Sequence, residues 1–390
     1  MGAAFPHTLN PTCQPIAPLT PSGYPPQLPS HSETYVASGC KSGCRNIVIV
    51  LIVLLLAAAA GGAWLYQRYH GFADEPLTGL KGDQVIEVAS GDAFGTVLRK
   101  LRDQGVTDGQ NIEWQLLARE LDVAGKLKVG EYALQPGTTP RDLLTRMRDG
   151  KTVQYRFTIV EGWNIRQLRN ALKAATPLKQ ETAQLDDAAL MKALGHPGQH
   201  PEGRFLPETY VYTRRETDLD VLKRAYAAMD KALASAWAER DPQAPLASPE
   251  EALILASIVE KETGIASERP AIAGVFARRL KIGMRLQTDP TVIYGLGSGY
   301  DGNIRKRDLL ADTPYNTYTR AGLPPTPIAM PGVDALRAVA KPEAGDALYF
   351  VAVGDGSGKH VFSASLDQHN AAVARYLVTR RETLDKAAQQ

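Results

Sequence analysis

The sequence predicts an α+β protein behind one membrane-spanning helix, and three observations carry that reading. An uncharged apolar run lies near the N-terminus. A strand, a glycine and an amphipathic helix then recur three times. The remainder mixes helix and strand signals without the regular βαβ alternation that a doubly wound sheet requires. Composition sets outer bounds: 390 residues, 44% hydrophobic, 44 Lys+Arg against 42 Asp+Glu. Such values exclude wholesale disorder, collagen and a coiled coil. A net charge of +2 argues against nucleic-acid binding as the main task.

Residues 1–45 hold eight prolines and only three charges, Glu33, Lys41 and Arg45. A segment of that kind cannot bury enough apolar surface to offset chain entropy, so it reads as a disordered tail. Residues 46–67 carry no charge, and IVIVLIVLLLAAAAGGAWLY, residues 47–66, is apolar throughout. Twenty residues at about 1.5 Å each span roughly 30 Å, a bilayer core. Trp64, Tyr66 and Tyr69 at the far end suit an interfacial belt. A cleaved signal peptide fits less well, because the apolar run exceeds about 15 residues and the preceding tail is too long.

Lys41 and Arg45 before the span nearly balance Arg68 and Lys81 after it, so the positive-inside count decides little. The three cysteines, Cys13, Cys40 and Cys44, all precede the span. A thiol-free remainder suits an oxidising compartment, which puts the tail in the cytoplasm and the large domain outside.

After the span come VIEVASGDAFGTVLRKL, EYALQPGTTPRDLLTRM and RFTIVEGWNIRQLRNAL. Aligning Gly91, Gly137 and Gly162 brings Val97, Leu143 and Leu168 into register, then Leu101, Met147 and Leu172. That spacing predicts helices with one apolar face against the strands. Ser90 and Thr139 are candidate N-caps, and Pro140 suits a first turn. The SGD and F-x-x-V-L-x-x-L of the first unit resemble the LysM carbohydrate-binding module; the alternative is a plain α+β spacer.

Residues 175–248 read as helical and Ala-rich. RFLPETYVY then places Glu208 in a Pro-bounded aromatic stretch. In ASPEEALILASIVEKETG, Ser248 and Glu251 form an S-x-x-E capping box, Pro249 takes the first helical position, and Gly264 is a candidate C′ residue. A helix over 269–281 follows, then TDPTVIYGLG, a Pro/Gly-rich YNTYTRAGLPPTPIAMPG and a helix near 333–339. Strands ALYFVAV and HVFSAS flank a Gly-rich turn, and a last helix covers 366–383.

The chemistry concentrates at residues 253–262. From Leu253 to Val259 the helix is apolar all round except Ser257, so it belongs in a core. Glu260 shares a face with Leu253, Ala256 and Ser257. A carboxyl held there loses hydration, gains proton affinity and can serve as a general acid. The alternative is structural, with Glu260 and Glu262 pairing with Lys261, Arg278 or Arg279. Periodicity does not choose between the two glutamates, since Glu262 faces Leu255, Ile258 and Val259. Other chemistries have no support. His196 and His200 are separated by Pro197 and Gly198, which forbid a shared helix face, so no metal site is expected. GDGSGKH departs from the phosphate-loop spacing and reads as a hairpin turn, and no nucleophile elbow is present.

ASIVEKETGIASERPAIAGVFARRLKIGMRLQTDPTVIYGLG, YNTYTRAGLPPTPIAMPG and LYFVAVGDGSGKHVFSASLDQHN resemble the MltG/YceG-like endolytic murein transglycosylases of bacteria, from about residue 68 onward. Composition sets a tail over 1–45, which has no equivalent in short-tailed members of that family, and a transmembrane helix over 46–67; the resemblance implies a LysM-like subdomain over 83–160 and a catalytic domain over 161–390. It implies a chain held by one helix in the bacterial inner (cytoplasmic) membrane, acting outside it on the glycan strands of peptidoglycan. No cofactor is implied, and peptidoglycan synthases are candidate partners. It places the catalytic glutamate at Glu260. It also puts Gln287, Thr288, Asp289, Tyr315 and Asn316 in sugar binding or in holding Glu260, with Glu262 and Glu208 as weaker candidates. Asp289 before Pro290 equally suits an N-cap. Two rivals stay open: a muramidase-type hydrolase pairing Glu260 with Asp289 or Glu208, and a non-enzymatic wall-binding scaffold.

Overall fold

The computed structural model describes residues 41–107 and 109–388. The proline-rich segment 1–40, with Cys13 and Cys40, lies outside the described residues. Helix α1 is Lys41–Asp74. Its side chains from Ile47 to Leu56 and from Trp64 to Tyr66 stand exposed. A helix that is apolar all round and exposed suits lipid rather than water, and it is long enough to cross a bilayer.

The first core lies beyond the span. Its elements are β1 (Gln84–Val88), α2 (Phe94–Asp103), α3 (Asn111–Glu120), β2 (Gly130–Leu134) and α4 (Pro140–Asp149). Antiparallel β1 and β2 set Ile86 opposite Tyr132. Both are buried with Leu101, Trp114, Leu117, Leu143 and Met147, and Phe72 and Ala73 of α1 join them.

The middle core holds β3 (Tyr155–Thr158), α5 (Ile165–Ala174), α6 (Asp187–Ala193), β4 (Thr209–Tyr212) and α7 (Asp218–Ala238). Phe157 of β3 pairs with Tyr210 of β4, and both sit among Leu168, Leu172, Phe205 and Leu222.

All six apolar positions aligned by the repeat, Val97, Leu101, Leu143, Met147, Leu168 and Leu172, are buried. The aligned glycines turn through φ of 88°, 92° and 76°, where a side chain would be strained. Thr139 caps α4 by accepting from Asp142 N. Ser90 does not cap α2. That helix starts later, after Ala93, because the Asp92 carboxylate accepts from Ala89 N and closes a turn first.

The third core is built on α8 (Pro249–Glu262), α9 (Arg269–Lys281), α12 (Val333–Ala340) and part of α7; α10 (Asp289–Leu296), β5 (Tyr349–Ala352) and β6 (His360–Ser363) pack against it, and α11 (Lys306–Leu310) and α13 (Leu366–Ala388) complete this part of the chain. Every residue of α8 from Ala252 to Val259 is buried. Each such Leu, Ile or Val contributes about 1.5–3 kcal/mol. Ser248 caps the helix by accepting from Glu251 N, whereas the Glu251 carboxylate takes Ala247 N rather than closing the box. The C-terminus differs from expectation: Thr263 is extended, and its hydroxyl accepts from Ile265 N, so the chain turns toward α9 without a left-handed Gly264.

The described strands form three separate two-stranded antiparallel sheets, β1–β2, β3–β4 and β5–β6. The architecture is mixed α+β, as expected.

Candidate active site

Three segments meet at the end of α8: its last turn, the β3–α5 loop and the loop 326–332. Ser257, the lone polar residue in the buried run, explains part of the meeting. Its hydroxyl donates to Ile254 O (2.7 Å) and accepts from Ile328 N (3.0 Å), pinning the second loop to the helix. Gly162 N donates to Met330 O (2.9 Å) and Met330 N to Trp163 O (2.7 Å), which joins the two loops. Lys261 Nζ donates to Gly162 O (3.3 Å).

Glu260 points into this junction, with only 4% of its side chain exposed. Its Oε2 accepts from Gly332 N (2.9 Å) and its Oε1 from Arg269 Nη2 (3.1 Å). The same Nη2 donates to Glu161 Oε2 (3.2 Å), and Arg269 Nη1 lies 3.6 Å from Asp334 Oδ2. The Glu161 carboxylate lies over Gly332, in the space that a β-carbon there would take. Burial pushes the proton affinity of Glu260 up, opposed by the Gly332 amide and the Arg269 charge and reinforced by the Glu161 charge; the net direction is upward. A carboxyl in that state can give up a proton and, once ionised, is held by two donors.

The other candidates fall into distinct settings. Glu262 turns away from Glu260 and accepts from the Thr288 hydroxyl. Burial raises its proton affinity too. Thr288 is buried, with its own N–H on Thr317 Oγ1. Asp289 is the first residue of α10 rather than its N-cap and accepts from Tyr318 OH (2.6 Å). Gln287 is exposed at φ 49°, with its N–H on Thr317 O. Tyr315 packs against Tyr294 and bonds Thr326 (2.9 Å). Asn316 is buried, and its amide donates to the carbonyls of Asp308, Leu309 and Ala311 while accepting from Tyr318 N. That amide is spent on the main chain, fixing a loop. Glu208 is exposed on a cleft of about 490 Å³ that Ala232, Val333 and Arg337 also line.

Sequence reasoning missed Arg269, Glu161, Gly332 and Asp334. It offered Lys261, Arg278 and Arg279 as partners, but Arg278 and Arg279 are used on backbone carbonyls of 343, 347, 348 and 286. Arg269 opens α9, nine residues after Glu260, and that proximity was the available signal. Glu202 was also missed. It is fully buried, accepts from Ile165 N and Tyr294, and burial pushes its pKa up to about 7.

A family model described as the YceG-like family matches residues 86–375, which include every residue of this junction. The chain belongs to the YceG-like family. It is 29% identical over 314 residues to the endolytic murein transglycosylase of Bacillus subtilis (strain 168), covering 76% of this chain and 86% of that protein. Proteins of the same name from two Streptococcus pneumoniae strains are 28% identical over 285 residues, or 64% of this chain. The chain spans 51% of their length. A YceG-like protein of Listeria monocytogenes, known from a crystal structure, is 31% identical, with 75% of this chain and 99% of that one covered and a TM-score of 0.47.

Proposed function

We propose that this YceG-like chain is an endolytic murein transglycosylase in which Glu260 acts first as acid and then as base. The observation that carries the reading is the Glu260 carboxyl, shielded from water yet held by Gly332 N–H and Arg269. Protonated Glu260 donates to the glycosidic oxygen between N-acetylmuramic acid and N-acetylglucosamine, and the C1–O bond breaks. The resulting carboxylate takes the proton of the muramic acid 6-hydroxyl as its oxygen bonds C1, closing a 1,6-anhydro ring. Glu260 ends as it began. The attacking oxygen belongs to the substrate, so one carboxylate suffices where ordinary glycosidases need two at a set separation. Gln287, Asp289 and Tyr315 are proposed to line the sugar path, with Thr288 and Asn316 supporting it.

The wider organisation belongs to the same proposal. Helix α1 anchors the chain, with the tail cytoplasmic and residues 161–390 acting outside the membrane. Residues 83–160 serve as a LysM-like wall-binding part. Supporting this, the strand–glycine–helix units fold as the pattern requires, and the first core has its own buried set.

Purified full chain in detergent, incubated with glycan strands, tests the reading by product mass. Release of anhydro-muropeptides is expected. Products one water heavier would indicate a muramidase, and release of nothing would leave a wall-binding scaffold.

A further inference from the structure

One cation serves three carboxylates at the junction. Arg269 Nη2 divides between Glu260 Oε1 at 3.1 Å and Glu161 Oε2 at 3.2 Å, while Nη1 faces Asp334 Oδ2 at 3.6 Å. The Arg269 side chain is 7% exposed, and its Nε has no partner among the described residues. This arrangement answers a difficulty in the reading above, on which the inference rests. An acid that must hold its proton stands beside a guanidinium, and a lone guanidinium at that distance favours the ionised carboxylate.

We propose that Glu161, seconded by Asp334, is a positioning residue that occupies the Arg269 charge, so that Glu260 can carry a proton beside a cation and regain it within each turnover. Glu161 suits the task from both ends of its carboxylate. Oε2 holds Arg269, and Oε1 lies against Gly332, whose N–H binds Glu260. The amide donor and the cation that hold Glu260 are thereby both touched by one side chain. Glu161 and Asp334 are about half exposed, so they also form the solvent side of the cluster.

The remaining charged groups facing Glu260 are accounted for. Lys261, next on α8, reaches Gly162 O, and Glu262 turns to Thr288. Arg337 on α12 lies 3.7 Å from Asp334. When Glu260 is ionised, Arg269 bridges two carboxylates through one nitrogen. When it is protonated, Glu161 retains the cation. Neutralising Glu161 removes a negative charge near Glu260 and frees the guanidinium for it, and both changes favour the ionised acid.

The experiment is a pH–rate profile of anhydro-muropeptide release by the full chain and by Glu161→Gln, Asp334→Asn and Glu260→Gln, with glycan binding measured in parallel. For Glu161→Gln the alkaline limb moves to lower pH. Turnover on that side drops severalfold, while the acid side and glycan binding change little. Asp334→Asn moves the limb the same way by less, because its contact is longer. A uniform loss at every pH, or a raised KM with the limb in place, overturns the inference. If Glu161→Gln fails to fold, an unmoved limb in Asp334→Asn overturns it as well. Activity surviving in Glu260→Gln sinks the parent reading instead, so the two failures are distinguishable.

Discussion

Glu260 and Glu262 leave the same last turn of α8 two residues apart, and burial raises the proton affinity of both. Their surroundings then diverge. Glu260 meets a backbone amide and a guanidinium that two further carboxylates share. Glu262 meets one hydroxyl, from Thr288, with Asp289 and His360 acting on it through their charges. On the mechanism proposed above, desolvation alone therefore does not mark an acid that must also work as a base. The distinguishing feature is a pair of donors ready for the carboxylate, offset by charges that still let it be protonated.

The sharpest way to break this contrast is to neutralise each glutamate. Glu260→Gln is expected to lose about a thousandfold in anhydro-muropeptide release, the middle of the range for a general acid. Glu262→Gln should lose no more than about tenfold, through its link to Thr288. Equal losses would erase the distinction.

Glu202 supplies a third case, buried like the others but bonded to an amide and a phenol rather than a cation. Its folded pKa of about 7 lies above the ordinary 4.5. Between those values the unfolded chain is ionised while the folded chain keeps its proton. Stability should thus be greatest below the lower value and decline as pH rises to the upper one. The change is on the order of 3 kcal/mol. Glu202→Gln should flatten that decline in urea melts; an unchanged slope would show that Glu202 is not its source.

Smaller effects probe the two supports. Ser257→Ala strips the acceptor from the buried Ile328 N–H, at a cost of about 1–3 kcal/mol in unfolding free energy. Activity should fall with it, because the loop it pins carries Gly332. Thr288→Val acts on the Glu262 side and should cost about 1 kcal/mol while sparing product identity. A larger activity loss from Thr288→Val than from Ser257→Ala would reverse the assignment of the two sides.

Much of the fold was legible because local patterns and tertiary burial agree. The repeat places six core residues correctly, α9 covers the expected residues, and the glycine-rich turn joins β5 and β6 as its composition suggests. Misreadings arose where a neighbouring side chain captured a backbone group first, as Asp92 does before α2 and Thr263 does after α8. The site was half legible. Periodicity finds a buried helix ending in acids. It does not give Glu161 or Gly332, which reach Glu260 through loops whose course is set by Ser257 and the Gly162–Met330 bonds. Asn316 shows how a polar residue in a matched segment can serve the chain's own carbonyls.

Gln287 has a consequence of its own. A non-glycine residue at φ 49° costs about 1–2 kcal/mol, and here the flanking bonds to Thr317 and Glu262 hold it in place. The connection between α9 and α10 is thus under tension, with the exposed Gln287 at its crest. Gln287→Gly would relax it and raise the melting temperature, and on the sugar path proposed above thermal hardening at this point would remove one amide from the glycan's route.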